Sequence, residues 1–251
     1  MNRLLKAEIY RLKHTGHLTW WAYFVTVCLA AMTYFLCLDR LQMKPPLDEI
    51  LPSLGTIVIL VFNFVPAGVA GISGQLYNKG KLGHYEVMAG NSPSSIIFSK
   101  VLADGGFFSI LTIIATTAFY VFVGIRNGLG NVDHPCIRLL LFSIAVIHVV
   151  VCSVMIMMYS KKVQVGAFLA YFRFMIFDIG VINVGMMIAD KLGFETVRYH
   201  LVHMIMMNQL QMAALDEINV TLVLHIVIGA IAEFIFWYVL VYRSIKKRRY
   251  N

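Results

Sequence analysis

The sequence predicts an all-α integral membrane protein: six transmembrane helices, an N-terminal interfacial amphipathic helix and an outer re-entrant helix before the last span. Composition is the first observation behind this fold class. The 251 residues are 59 % hydrophobic and only 14 % charged, with a mean hydropathy of +0.76, which lies well outside the range of soluble domains. The second observation is six long apolar runs. The third is that Lys and Arg collect at the ends of those runs.

The apolar runs define the spans, because about 20 apolar residues in a helix cross a bilayer core of roughly 30 Å. They cover residues 18–38, 54–76, 99–125, 138–160, 163–189 and 219–242. No separate soluble domain stands between them. We therefore treat residues 1–251 as a single transmembrane domain.

The distribution of Lys and Arg predicts the orientation, since cytoplasmic flanks carry an excess of basic residues. Fourteen such residues flank one side of the spans: Arg3, Lys6, Arg11, Lys13, Lys79, Lys81, Lys100, Lys161, Lys162, Arg243, Lys246, Lys247, Arg248 and Arg249. Six flank the other side: Arg40, Lys44, Arg126, Arg138, Lys191 and Arg198. Both termini are therefore expected in the cytoplasm.

Residues 191–217 form the predicted outer re-entrant segment. Its stretch from 197 to 214 has the length of a seventh span, but a seventh crossing would place the basic C-terminus outside, against the charge rule. The stretch also contains side chains that are costly in hydrocarbon: His200, His203, Asn208, Gln209 and Gln211. We interpret it as an amphipathic or re-entrant helix.

Residues 1–16 are predicted to lie in the membrane interface. On a helix, Leu4, Leu5, Ile9 and Leu12 share one side, and the opposite side carries Arg3, Lys6, Tyr10, Lys13 and His14. Glu8 interrupts the apolar edge, and Arg11 lies near it. A basic amphipathic helix of this kind lies on a membrane surface rather than across it.

A polar, basic stretch, residues 77–98, separates the second and third spans. Its Gly80-Lys81 pair is reminiscent of a phosphate-binding loop, but five residues separate Gly74 from Gly80 and Leu82 occupies the position of the required Ser or Thr. The chain is therefore not expected to bind ATP, to hold a cofactor or to be an enzyme. Glycine turns, a short helix around residues 84–88 and a breaker at residues 90–93 are typical of a cytoplasmic docking element.

This order of elements resembles the permeases of ABC transporters, in particular the type-2 exporter class with its ABCG-like architecture. The resemblance covers nearly the whole chain by topology. Locally it rests on Lys79-Gly80-Lys81-Leu82, the turn Ser92-Pro93-Ser94, and Lys100 at the opening of span 3. The acidic residue that the family carries before its glycine is absent here, with Gln75 and Asn78 nearby.

The resemblance implies a function as the membrane-spanning subunit of an ATP-driven exporter. Two permease subunits, identical or different, would pair in the bacterial plasma membrane, and separate ATPase subunits, in two copies, would supply the energy. The ATPase-coupling residues would be His84, Tyr85, Glu86, Val87 and Met88. Small permeases of this kind resemble those that export antimicrobial or toxin peptides or protect bacteriocin producers. Lipid or drug export and a non-transporting sensor or assembly role are the alternatives; no sequence motif supports an intramembrane hydrolase.

Ionisable residues inside spans are functional candidates because each is costly unless it is paired or hydrated. Arg173 lies ten residues into span 5 and Glu233 lies nine residues into span 6, both counted from the inner end. At 1.5 Å per residue these positions are about 15 and 14 Å deep. The matching depths predict an ion pair. Asp178, which has His225 as one candidate mate, and Asn63 in span 2 are candidates for the transport pathway.

Metal and disulfide sites are not predicted. The four cysteines are scattered, and His200 and His203 form only a weak metal arrangement near Glu195 and Asp216. Methionine clusters at residues 155–158 and 204–207 suit an apolar or amphipathic cargo, although methionine is also ordinary membrane filler.

Overall fold

The computed structural model describes residues 2–15, 46, 68–69, 86, 89–160, 162–206, 208–209 and 218–249. The predicted spans at 18–38 and 54–76 lie outside these residues, apart from positions 68–69. Regular structure in the described ranges is helical throughout, without a strand. The all-α part of the fold prediction is therefore confirmed.

The helices follow one another along the chain with short connections. The N-terminal helix is α1, Asn2–Thr15. A second helical path runs without a break through α2, π1 and α3: Pro93–Lys100, the π-helical Val101–Gly105, and Gly106–Asn127. It is followed by α4, Pro135–Tyr159. A third path contains α5, π2 and α6: Val163–Tyr171, the π-helical Phe172–Ile182, and Asn183–Lys191. The last two are α7, Glu195–Met204, and α8, Val220–Arg249.

Helix α2 begins at Pro93, within the stretch predicted as the cytoplasmic element and before the expected start of span 3 at residue 99. The Ser95 N–H donates to Ser92 Oγ at 3.2 Å, which caps the helix, and Pro93 occupies the first turn. The preceding turn contains Gly90 with a φ of 80°, which favours glycine. Local turn chemistry therefore extends the helix N-terminally beyond its apolar run.

Three helical stretches among the described residues are long and apolar enough to cross a bilayer: Pro93–Ile114, Pro135–Tyr159 and Val220–Lys247. They coincide with the runs predicted at 99–125, 138–160 and 219–242. A shorter apolar helix, Val163–Phe174, opens the run predicted at 163–189. A membrane-integral chain is thus supported, and the count of six spans stays a prediction.

Helix α4 forms the centre of the packed core, with α3, α5 and α8 against it. Met155, Met157 and Met158 at its C-terminal end are almost completely buried. Helix α5 approaches this end closely at Gly166, where a Cβ atom would lie 2.4 Å from Met157 Sδ and from Ser160 Oγ. A larger residue at position 166 would therefore require the Met157 and Ser160 side chains to move.

Helix α7 falls within the predicted outer segment and packs against α6 and α8. Residues 210–217 of that segment lie outside the described part of the chain. Its helical start agrees with an amphipathic helix, and the re-entrant path stays a prediction.

Candidate functional site

Five charged side chains meet where α1 packs against α2 and π1. We call Glu8, Arg11, Glu86, Lys100 and Asp104 the α1–α2 charge cluster. The Lys100 ammonium contacts Glu8 and lies 3.0 Å from Glu86 Oε1. The Arg11 guanidinium lies 2.5 Å from Glu8 Oε2 and 3.1 Å from Asp104 Oδ1. Alternating charges therefore connect three segments that are far apart in sequence.

Helical spacing explains how the sequence builds this cluster. Glu8 and Arg11 are three residues apart and so share one face of α1, while Lys100 and Asp104 lie about one turn apart on the path that opens α2 and π1. Glu8 is 3 % exposed, and Lys100 and Asp104 are each 1 % exposed. Charges buried to this degree require partners, because an isolated one costs several kcal/mol. The cluster supplies those partners.

The two glutamates around Lys100 respond to burial differently. Burial raises the pKa of Glu8, but the charges of Lys100 and Arg11 outweigh it and hold that pKa below its usual value. Burial raises the pKa of Glu86 to about 7, although Lys100 acts in the opposite direction. Glu86 is therefore the carboxyl of the pair that takes up a proton near neutral pH.

Of the five residues assigned to ATPase coupling, Glu86 is described, and His84, Tyr85, Val87 and Met88 lie outside the described residues. The Glu86 carboxylate turns toward Lys100. Its backbone carbonyl accepts hydrogen bonds from Asn91, at 3.0 Å from Nδ2 and 3.3 Å from the backbone N–H. Glu86 thus links the predicted coupling element to the base of α2. A contact with an ATPase stays a prediction.

A second polar group lies in the middle of the apolar helices. We call His148, Cys152, Arg173, Glu233 and Trp237 the intramembrane polar cluster. Arg173 Nε donates to Glu233 Oε1 at 2.7 Å, and Arg173 Nη2 donates to Oε2 at 2.5 Å. Trp237 Nε1 donates to Oε1 at 3.1 Å, and His148 Nε2 lies 3.1 Å from Oε2. Both carboxylate oxygens therefore have two partners.

The same cluster has the spacing of a metal site, because ligand atoms of His148, Cys152 and Glu233 lie within 4.8 Å of one another. The Arg173 guanidinium already neutralises Glu233 in a two-bond geometry. A metal cation would have to displace it or share the carboxylate with it. This arrangement favours an Arg173–Glu233 ion pair, hydrogen-bonded by His148 and Trp237, over a metal site.

The other candidates for the transport pathway remain open. Asp178 lies on π2, and its side chain is outside what the structure describes, as is the whole of Asn63. His225, considered as a mate for Asp178, has its Nε2 3.2 Å from His200 Nδ1. A pathway role for Asp178 or Asn63 stays a prediction.

Sequence reasoning missed three residues of the two clusters. Asp104 is a carboxylate in an apolar run, so the depth argument used for Arg173 and Glu233 would also have selected it. Trp237 lies four residues, about one turn, after Glu233 on α8. The sequence does not indicate that His148 contacts Glu233, because this contact depends on how α4 packs against α8.

The apolar helices have the length of membrane spans, and buried charge clusters lie at one end of them and in the middle. These features define a polytopic integral membrane protein with polar groups inside its packed helices. The family model described as ABC-2 type transporter (ABC2_membrane) matches residues 1–193. The chain therefore belongs to the ABC-2 type transporter family and is a membrane component of an ABC transporter, which implies an ABC ATPase partner. Comparisons with curated proteins and with solved structures gave no match.

Proposed function

We propose that the chain is the permease of an ABC exporter that moves amphipathic peptides, of the antimicrobial or toxin type, out of the cell. The α1–α2 charge cluster is the observation that carries the export mechanism. An ATP-driven permease must transmit movement from its ATPase to its spans. A buried network that joins Glu86, helix α1 and the base of α2 offers a stiff connection for this purpose.

The connection continues from α2 to the last helix. Tyr238 Oη of α8 donates to Ser94 Oγ of α2 at 2.9 Å, and the Phe98 and Tyr238 rings lie 5.7 Å apart. Displacement of the coupling element would therefore act on α2 through Lys100 and on α8 through Tyr238. Helix α8 also carries Glu233, so the same movement reaches the intramembrane polar cluster.

The cargo proposal rests on the surface around that cluster. The face of α8 that bears Ile228, Ile231, Ile235 and Phe236 is more than half exposed at each of these side chains. Glu233 lies about one turn before Phe236 on α8, and the Arg173 side chain that pairs with it is 23 % exposed. An apolar surface beside a partly exposed ion pair suits a molecule with apolar and ionised groups. The methionines at 155–158 are buried, so they add nothing to this argument.

The proposed setting is the bacterial plasma membrane with both termini in the cytoplasm. Two ATPase copies and a second permease, identical or different, complete the transporter. Cys136 is exposed near the start of α4, on the side predicted to be outer. A membrane-impermeant thiol reagent should label Cys136 in intact cells, whereas a cysteine introduced at Asn251 should react only after lysis. Variants that lack Cys136 provide the background, and the reverse labelling would overturn the orientation.

Cargo is tested with the permease and its ATPase purified together and reconstituted in liposomes. Amphipathic peptides should stimulate ATP hydrolysis and accumulate in the liposomes whose ATPase faces outward. An ATPase variant unable to hydrolyse ATP should abolish this accumulation. Stimulation by phospholipids or apolar drugs alone would favour the lipid or drug exporter. Failure of the chain to co-purify with an ATPase would favour the sensor or assembly role.

Coupling is tested with Tyr85→Ala and Glu86→Ala combined. A buried aromatic anchor with a polar neighbour is typical of a small interface. The double variant should insert normally and lose export, while ATP hydrolysis no longer responds to cargo. Glu195→Ala on α7 is the control, because that side chain is exposed and distant in sequence from the coupling element. Unchanged export in the double variant would show that the stretch is a passive connector.

A further inference from the structure

Three histidines from two elements come together beside the outer helix. We call His200 and His203 of α7 and His225 of α8 the outer histidine cluster. His200 Nδ1 lies 3.2 Å from His225 Nε2. The His203 and His225 ring centroids are 5.2 Å apart, the same separation as for His200 and His225. Neither the intramembrane polar cluster nor the α1–α2 charge cluster includes these residues.

Backbone contacts define the tautomers of two of the rings. His203 Nδ1 lies 2.7 Å from the Tyr199 carbonyl oxygen, and His225 Nδ1 lies 2.8 Å from the Thr221 carbonyl oxygen. A carbonyl oxygen only accepts, so each Nδ1 carries the hydrogen and each Nε2 keeps a lone pair. An imidazole whose second nitrogen donates to a backbone carbonyl is the usual form of a metal-binding histidine.

The spacing of the closest pair fits a shared ion. Zn–N bonds are about 2.0–2.1 Å long in tetrahedral sites. Two nitrogens 3.2 Å apart at that bond length subtend an angle of about 100° at the metal, close to tetrahedral. His200 would bind through Nδ1 and move its hydrogen to Nε2, a change of tautomer without a change of charge. His203, on the same face of α7, packs beside His225 with a ring-centroid distance of 5.2 Å.

The surroundings of the outer histidine cluster include an ion pair and an aromatic ring. The nearest basic side chain on α7, Arg198, donates to Asp190 at 3.0 Å. Tyr199 packs its ring on His203 at a centroid distance of 4.3 Å, which limits rotation of that ring. His200 is exposed, so an ion has an entry path from solvent, whereas His203 is 5 % exposed.

We propose that the outer histidine cluster binds a borderline divalent transition-metal ion, of the Zn²⁺ or Ni²⁺ type, with His200 and His225 as the direct ligands. Imidazole nitrogen suits these metals. The ion would tie α7 to α8 across the intervening residues of the outer segment. It would thereby hold that segment against the last helix whatever cargo the permease carries.

The test uses the full chain without a histidine tag, in nanodiscs, with Zn²⁺ as the probe and a chromophoric chelator as competitor. We expect one Zn²⁺ per chain and a higher apparent melting temperature with Zn²⁺ than without it. His200→Ala combined with His225→Ala should weaken binding by at least about tenfold and remove the thermal shift.

The matched control is His14→Ala. His14 also sits on an exposed helix face with its Nδ1 2.9 Å from the carbonyl oxygen four residues earlier, but no second imidazole among the described residues contacts it. His14→Ala should leave Zn²⁺ binding unchanged. His200→Ala alone covers the case in which loss of His225 disturbs α8, since His200 is exposed. Absence of binding in the unmodified chain, or equal binding in the His200→Ala variant, would show that the rings only stack.

Discussion

Arg173 and Glu233 meet through two parallel hydrogen bonds, 2.7 Å and 2.5 Å long, between π2 and α8. The two residues are 60 positions apart in sequence. His148 and Trp237 occupy the remaining acceptor positions of the carboxylate. The pair therefore links the third helical path to the last helix.

The first prediction concerns this pair. Arg173→Met or Glu233→Gln alone should each lower stability in detergent by about 3–5 kcal/mol, because one buried charge loses its partner. The double variant should recover part of that loss. Arg198→Met provides the control, since its pair with Asp190 is more than half exposed and is worth about 0–1 kcal/mol. Strictly additive losses would argue against coupling, and recovered stability without recovered export would assign the pair a role in transport.

The second prediction concerns Lys100. Lys100→Met leaves Glu8 and Glu86 without their shared ammonium, so we expect a loss of about 3–5 kcal/mol and weaker association of α1 with α2. Thermal unfolding and proteolysis of the N-terminal helix would measure the two effects. Lys162→Met, at an exposed position before α5, should change stability by less than about 0.5 kcal/mol. Equal effects of the two substitutions would show that burial of Lys100 contributes little.

The third prediction concerns pH. The pKa of Glu86 rises from the usual 4.5 to about 7 in the folded chain, so the folded state binds more protons than the unfolded state between these values. Stability from this group is complete below about pH 4.5 and is lost as the pH rises through 7. Glu8, whose pKa is lowered, stays ionised across this window and opposes the trend only in stronger acid.

Glu86→Gln should therefore flatten the decline in melting temperature between about pH 4.5 and pH 7. The amide keeps a similar shape without a titrating proton. A decline of the same steepness in Glu86→Gln would assign the pH dependence to other groups.

The fourth prediction concerns Gly166. Gly166→Ala should destabilise the chain by about 1–3 kcal/mol, because the added methyl group collides with Met157 and with Ser160 at the turn between α4 and α5. Gly229→Ala is the matched control: no atom lies within 4 Å of its Cβ position, and alanine favours a helix over glycine by up to about 1 kcal/mol. A neutral Gly166→Ala would mean that α5 shifts to accommodate the methyl group.

Much of the described fold could be predicted from the sequence, because membrane helices are long and uniformly apolar. The runs at 138–160 and 219–242 differ little from helices α4 and α8. The start of α2 at Pro93 could not be read from hydropathy, since it depends on the Ser92 cap. The π-helical turns at 101–105 and 172–182 could not be predicted either. They carry Asp104 and Arg173, one member of each charge cluster.

The sequence predicted site residues only where their expected depth in the membrane or their helix face indicated a partner. Equal depth indicated that Arg173 could meet Glu233. The intrusion of Glu8 on the apolar edge of α1 had no explanation until the structure placed Lys100 and Asp104 opposite that edge. The contact between His200 and His225 depends on how α7 lies against α8. Such packing between distant segments leaves no periodic signal in a single sequence.

The α1–α2 charge cluster also sets an order of events during synthesis. Glu8 and Arg11 contact Lys100 and Asp104, which follow them by 92 and 93 residues. At about 5–20 residues per second, α1 leaves the ribosome roughly 5–20 s before its partners. Until then Glu8 has Arg11, on its own helix, as its partner. The ion pairs that join α1 to α2 and π1 therefore form only after residues 100–104 have left the ribosome.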